Sequence, residues 1–238
     1  MKVIFLRKRN IFLIIGGIII LLLLLLVILS FFNSSTAPTM QIDPIYQGNT
    51  DKPCVALTIN VDWGEDIIPD MLAILDAKRV NATFFITGRF ATKFPEIVKQ
   101  ISEKNHEIGN HGYSHPHPDR LSVAKNLEEI KKTNDILKEI TQKDISLFAP
   151  PYGERGTNCL QAAQKAGYKT ILWTADTIDW QEPPPSVNTL VNRVTGKKLT
   201  NGTIILMHPK PHTLEALPVI IDVILKKGYQ IQKVSEVI

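Results

Sequence analysis

Cysteine is scarce: Cys54 and Cys159 are the two in 238 residues. No Cys-x-x-Cys pair occurs and no cysteine stands beside a histidine, which excludes thiolate metal sites and a disulfide-built scaffold. The two could pair outside the cell if the fold brings their Cα atoms within roughly 7 Å, which residue order does not decide; the plainer reading is two small residues near a core. A basic face is also missing. The formal charge of +4 comes from 27 Lys and Arg against 23 Asp and Glu, and Lys2, Arg7, Lys8 and Arg9 account for the whole excess. The rest of the chain is balanced, without the basic stripe that nucleic acid requires. No nucleic-acid partner is expected, and nothing points to a protein partner. Internal repeats are absent, and so is low complexity outside one apolar run.

That run is Ile11 to Leu29, broken only by Gly16 and Gly17. At about 1.5 Å per residue it reaches roughly 28 Å, close to the hydrocarbon thickness of a bilayer. Four cations precede it and none follows directly, which places the N-terminus in the cytoplasm and the remainder outside. A cleaved signal peptide competes, because Ser34-Ser35-Thr36-Ala37 is a small-residue stretch of the right kind. The run exceeds the usual signal core of about 7–15 residues, which favours an uncleaved single-pass anchor. Residues 1–32 are thus expected to be a cytoplasmic tip and anchor, 33–52 a polar, proline-bearing linker, and 53–238 one folded domain.

Within that domain, β-rich runs alternate with amphipathic stretches. Strands are expected at Val55–Ile59, Ala82–Ile86, Glu107–Gly109, Ile145–Ala149, Lys169–Trp173, Thr203–Met207 and Tyr229–Val234. Helices fit Pro69–Ala77, Pro95–Lys104, a long one capped by Ser122 and running to about Ile140, Asn158–Ala166, Ser186–Lys198, and Thr213–Lys227 closed by Gly228. Such alternation means βαβ units and a parallel sheet. The expectation is an α/β fold, a distorted, incomplete (β/α) barrel of about seven parallel strands, preceded by the transmembrane helix.

Parallel barrels carry their chemistry on loops after the strands. Such positions hold Asn60 and Asp62, then His111 and His115, then Pro151-Tyr152-Gly153, then Asp179-Trp180, then Leu206-Met207-His208. His111 and His115 have the i, i+4 spacing that puts two imidazoles on one side of a helical turn. With Asp62 they form a two-histidine, one-carboxylate set of the catalytic Zn²⁺ type, also suited to Co²⁺ or Ni²⁺. His117 and His212 read as surface residues.

The stretch Val55–Val234 resembles the NodB-homology polysaccharide deacetylases, carbohydrate esterase family 4. The motifs occur in the family's order: Ala82-Thr83-Phe84-Phe85 with Gly88, His106-Glu107-Ile108-Gly109-Asn110-His111, the His111/His115 metal motif, Pro150-Pro151-Tyr152-Gly153, Asp179-Trp180 and Leu206-x-His208. Within the family it is most similar to sporulation-type and cell-wall deacetylases of Gram-positive bacteria. The resemblance implies a divalent metal, Zn²⁺ first, and hydrolysis of N-acetyl groups on amino sugars of wall glycan. It implies His208 as general acid held by Asp179, and Tyr152, Pro151, Trp180 and Leu206 as groove residues.

Two positions depart from the pattern. The family's aspartate base falls on Asn60, and an amide takes no proton near neutral pH. The arginine that pairs with that base falls on Ala149. The next position, Val61, cannot hold a metal, and Asp62 is expected to reach the site through a bulge at the strand end, ahead of Glu65 and Asp66. Two functions follow: a membrane-anchored deacetylase of low or no activity, or a non-catalytic glycan-binding protein on the same fold.

Overall fold

The computed structural model describes residues 16–25 and 43–238. Residues 16–25 are helical. The rest of the expected anchor, and the expected linker as far as residue 42, lie outside the described residues. Among the described residues no helix is long and apolar enough to cross a membrane. By its contacts the chain divides into Met1–Gln41 and Ile42–Ile238, and the fold that follows is that of the second unit.

One all-parallel sheet forms its centre. The strands are β1 (Cys54–Val61), β2 (Thr83–Ile86), β3 (Glu107–Asn110), β4 (Leu147–Phe148), β5 (Lys169–Thr170), β6 (Ala175–Asp176), β7 (Ile204–Met207) and β8 (Gln230–Gln232). Their order is β5-β4-β3-β2-β1-β7-β6, with β8 pairing β1 off this path. The expected seven-strand open barrel is present. β6 was not foreseen, because Ala175–Asp176 falls just beyond the expected strand Lys169–Trp173, where a loop was expected.

The helices are α1 (Ile68–Ala77), α2 (Gly88–Lys93), α3 (Pro95–Glu103), α4 (Val123–Thr141), α5 (Thr157–Lys165), α6 (Val187–Thr195), α7 (Pro211–Lys226) and α8 (Val234–Val237). Ser122 and Ser186 cap α4 and α6 by accepting from the N–H groups of Lys125 and Thr189. α6 stops at Gly196, short of the expected Lys198. The last expected strand is shorter than Tyr229–Val234, because Val234 opens α8.

β1 shows the two faces of the sheet. Val55, Leu57, Ile59 and Val61 pack with the helices in the larger core. Cys54 and Ala56 belong to a second cluster with Phe85, Ile171 and Ile204. Period-two alternation therefore sends the even-numbered residues of β1 into the barrel. Both cysteines are buried and free. Burial pushes the Cys159 thiol up to about 12, so it is inert as a nucleophile.

The barrel's open seam lies between β5 and β6. Ile45 bridges Ile171 there, its N–H donating to Thr170 O and its carbonyl accepting from Leu172 N, both at 2.8 Å. Gln47 bridges Thr203 on the other side. Part of the stretch expected as linker thus covers a strand edge that would otherwise stay unpaired.

At the opposite end of the barrel from the site, His106 is buried and its Nδ1 accepts the Ala82 N–H at 3.1 Å. Burial, with Lys104 nearby, lowers its pKa to about 4. The unfolded imidazole takes up a proton near 6.5 and the folded one does so only near 4. This contribution to stability is therefore intact above pH 6.5 and lost on acidification, at up to roughly 1.4 kcal/mol per pH unit until about pH 4. His106→Gln keeps an acceptor and cannot titrate. Urea midpoints measured from pH 7 to 4.5 are expected to fall less steeply in this variant than in the parent chain.

Candidate active site

Asn60 lies near the end of β1 and Asp62 is the first residue beyond it; both line the cavity, with Val61 between them in the outer core. The bulge expected to deliver Asp62 is absent: Val61 keeps its ladder register with Ile86, and the chain bends out of the strand at Asp62 itself. Asn60 is 6% exposed, and its Oδ1 is buried without a hydrogen-bond partner.

The histidine loop follows β3, and it is not a helical turn as the spacing predicted. Gly112 has φ +74° and His115 φ +56°, values that no right-handed helix contains. Glu129 of α4 holds the loop, accepting the N–H groups of Tyr113 (2.9 Å) and Ser114 (2.8 Å) and the Ser114 hydroxyl (3.0 Å). Asn110 accepts the Gly112 N–H and donates to Ile130 O. The two imidazoles still meet, with ring centroids 5.0 Å apart. His111 Nδ1 lies 2.6 Å from Ala149 O. A carbonyl only accepts, so Nδ1 carries the proton and Nε2 keeps its lone pair. Complete burial, reinforced by His115, lowers the His111 pKa to about 3 and keeps the ring neutral. Burial also lowers that of His115.

These two rings are fit to hold a metal ion, but the carboxylate is engaged. Asp62 Oδ1 accepts from Arg89 Nε at 2.6 Å and from Thr87 Oγ1 at 2.9 Å, and Oδ2 pairs with Arg89 Nη2. Burial alone raises the Asp62 pKa, but the Arg89 and Thr87 hydrogen bonds and the nearby His115 and Arg89 charges outweigh it and hold the group ionised. Among the described residues no group of three His, Cys, Asp or Glu is arranged to hold a metal ion. The expected set is incomplete at Asp62, because a guanidinium already uses both its oxygens.

Across the cavity, Asp179 is fully buried. Its Oδ1 lies 2.7 Å from His208 Nδ1, while Oδ2 accepts the His208 N–H and the Thr213 hydroxyl, each at 2.7 Å. The Asp179 pKa is lowered: burial opposes this, but the His208 hydrogen bonds and charge and the Thr213 hydroxyl prevail. With Nδ1 facing a carboxylate, Nε2 is the nitrogen of His208 left for the cavity. His212, expected as a bland surface residue, lies with Nε2 2.8 Å from Asp179 O and steadies the same loop.

The cavity measures about 550 Å³. Leu206 and His208 line it, and Trp63, Tyr152 and Trp180 stand at 39, 58 and 54% exposure on its lining. Open aromatic faces of this kind suit stacking against a pyranose ring. Tyr152 has φ +60°, a strained value for a bulky side chain. His117 stacks on it at 4.1 Å and bonds Glu154 at 2.7 Å, a supporting role that a loop histidine between prolines did not advertise. Pro151 does not reach the cavity; it is buried, on the side of Gly112.

Residues 47–171 match the family model for polysaccharide deacetylase. The chain belongs to the polysaccharide deacetylase family. It is 41% identical over 198 residues to YlxY of Bacillus subtilis, an uncharacterized protein, covering 83% of this chain and 61% of that one. The chain thus spans less than two thirds of that relative's length. It is 35% identical over 188 residues to a peptidoglycan-N-acetylglucosamine deacetylase of Bacillus cereus, covering 77% of this chain and 67% of that enzyme. A family 4 carbohydrate esterase pseudoenzyme from Bacillus anthracis matches with a TM-score of 0.79 and 37% identity, over 83% of this chain and 69% of that one. A mutant of the same protein, described as having restored enzymatic activity, matches with a TM-score of 0.79 and 36% identity, over 83% and 72% of the two chains.

Within the polysaccharide deacetylase family fold, the chain brings nearly every expected site residue to one cavity. Asn60, Asp62, His111, His115, Tyr152, Trp180, Leu206 and His208 line it, with Asp179 directly behind His208. Arg89, Trp63, Trp173 and Asp176 line it as well and were not foreseen. Arg89 had a signal, since it follows β2 at the carboxyl edge where a barrel places its chemistry.

Proposed function

We propose that this polysaccharide deacetylase relative binds N-acetylated cell-wall glycan at the outer face of the membrane and hydrolyses it little or not at all. One observation carries the reading. The position of the base is an amide, Asn60, which lines the cavity and whose buried Oδ1 has no hydrogen-bond partner. Removing a general base typically costs about 10²–10⁴-fold in rate. Ala149 stands where the family pattern has the arginine of that base, and Asp62 is engaged by Arg89 rather than free. The likeness to a pseudoenzyme supports the same reading.

The binding half is better kept. A 550 Å³ cavity edged by three exposed aromatics offers stacking surface. His208, oriented by Asp179, presents Nε2 to the cavity, where it can meet an acetamide or its amine. Peptidoglycan is the proposed polymer, in keeping with the activity named for the B. cereus relative. The apolar run Ile11–Leu29 is proposed to anchor the chain, N-terminus inward, with the domain outside a Gram-positive cell. The retained His208–Asp179 pair favours a second reading, slow hydrolysis with a substitute base.

Calorimetry of the full-length chain in detergent with N-acetylglucosamine oligomers, run beside an acetate assay, separates these. Saturable micromolar-to-millimolar binding with no acetate is expected. Acetate release at about 1 s⁻¹ or faster, an ordinary enzyme rate, sinks the binding reading, and so does failure of every oligomer to bind.

A further inference from the structure

Arg89 is attached to both halves of the expected metal site. Its guanidinium takes both oxygens of Asp62. Its backbone N–H donates to Tyr113 O at 3.0 Å, and the Gly88 N–H donates to Gly112 O at 2.9 Å, so the start of α2 is stitched to the histidine loop. Gly88 permits that approach, because a Cβ there would meet the Tyr113 ring and come within 2.8 Å of Thr133 Oγ1. Thr87, the N-cap of α2, fixes Oδ1 of Asp62 from the same turn. The Arg89 side chain is half exposed, whereas that of Asp62 is 10% exposed.

We propose that Arg89 is the resident cation of Asp62, and that divalent metal binds this chain only as far as it displaces the guanidinium. The physical argument is competition for one ligand. With Nδ1 facing the Ala149 carbonyl, His111 Nε2 has its lone pair available to a metal. The Asp62 carboxylate has one negative charge, already neutralised by a bidentate fork, which is the strong geometry for this pair. A metal arriving at two neutral imidazoles gains no anionic ligand unless Arg89 swings out, and meets a like charge while it stays. Being half exposed, the guanidinium has solvent to swing into. The chain thus carries a lock on its third metal ligand, separate from the loss of the base at Asn60.

The test titrates Zn²⁺ alone into the full-length chain in detergent and reads affinity by calorimetry, with Co²⁺ absorption as the report on coordination. Arg89→Gln is expected to bind Zn²⁺ at least about tenfold more tightly than the parent, with a Co²⁺ spectrum of altered intensity. The double variant Arg89→Gln/Asp62→Asn is expected to fall back to parental affinity, and Asp62→Asn alone to leave the parent's weak binding unchanged. Arg89→Lys keeps a charge without the fork and is expected to show a smaller gain that also needs Asp62. Thermal unfolding of each variant confirms that the fold is kept. Equal or weaker Zn²⁺ binding in both Arg89 variants overturns the proposal. So does a gain that survives Asp62→Asn, or a parent whose affinity drops when Asp62 alone is changed. No sugar and no turnover enter these readouts, so the result stands apart from the glycan-binding reading of the same site.

Discussion

Replacing Asn60 by aspartate is expected to raise acetate release from N-acetylglucosamine oligomers by about 10²–10⁴-fold, the range that one positioned base supplies. The substitution is nearly isosteric and the site is prepared for it. Asn60 lines the cavity, and its buried Oδ1 has no partner to lose. Burial raises the pKa of an introduced carboxylate, and Ala149 stands where the family pattern has the arginine that would oppose that rise. The new group would titrate closer to neutrality than an exposed aspartate does, which suits a base. The assay supplies Zn²⁺ and includes Asn60→Asp/Arg89→Gln. The double variant is expected to exceed the single, because base and metal carboxylate fail for separate reasons. Silence from both would remove Asn60 as the reason for inactivity. The B. anthracis pseudoenzyme with restored enzymatic activity shows that a disarmed member of this family can be rearmed.

Asp179→Ala is expected to cost about 3–5 kcal/mol of folding stability, because it strips a buried carboxylate from three donors and each hydrogen bond to a charged group is worth roughly 1.5–3 kcal/mol. Asp179 is 1% exposed and accepts three bonds of 2.7 Å, from His208 Nδ1, the His208 N–H and the Thr213 hydroxyl. Alanine leaves those three donors facing a void. Asp179→Asn fills the void but turns an amide N–H toward at least one donor, so its cost is expected to be smaller yet clear. Urea unfolding at pH 7 reads both. The pH dependence has a definite sign. The folded pKa of Asp179 lies below its unfolded value near 3.9, so its contribution is complete at neutrality and is lost as the pH falls below 4. A difference between parent and Asp179→Ala under about 1 kcal/mol at pH 7 would falsify the role given to this cluster.

Much of the site was legible because its residues lie at strand ends in a recurring order. Asn60 lies near the end of β1, and His111, Tyr152, Asp179 and His208 follow four other strands, so that each strand's end points to one of them. The histidine pair was found for a partly mistaken reason. The spacing of four was read as a helical turn, whereas Gly112 and His115 at positive φ and the Glu129 carboxylate bring the rings together in a loop. The short helix α2 escaped because six residues show no reliable period, and β6 because it falls just beyond an expected strand.

The residue order by itself determined the parallel α/β class, the strand-end positions that carry the site, and the amide at the base position. Each depends on residue identity and local period, which a linear chain displays. Only tertiary structure decided that Arg89 meets Asp62, 27 positions away, that Ile45 closes the seam at Ile171, and that His117 supports Tyr152. These pairings depend on which strand ends become neighbours in the closed sheet. An exposed-looking arginine or histidine carries no mark of the carboxylate or ring it will reach, because register and loop curvature set that distance.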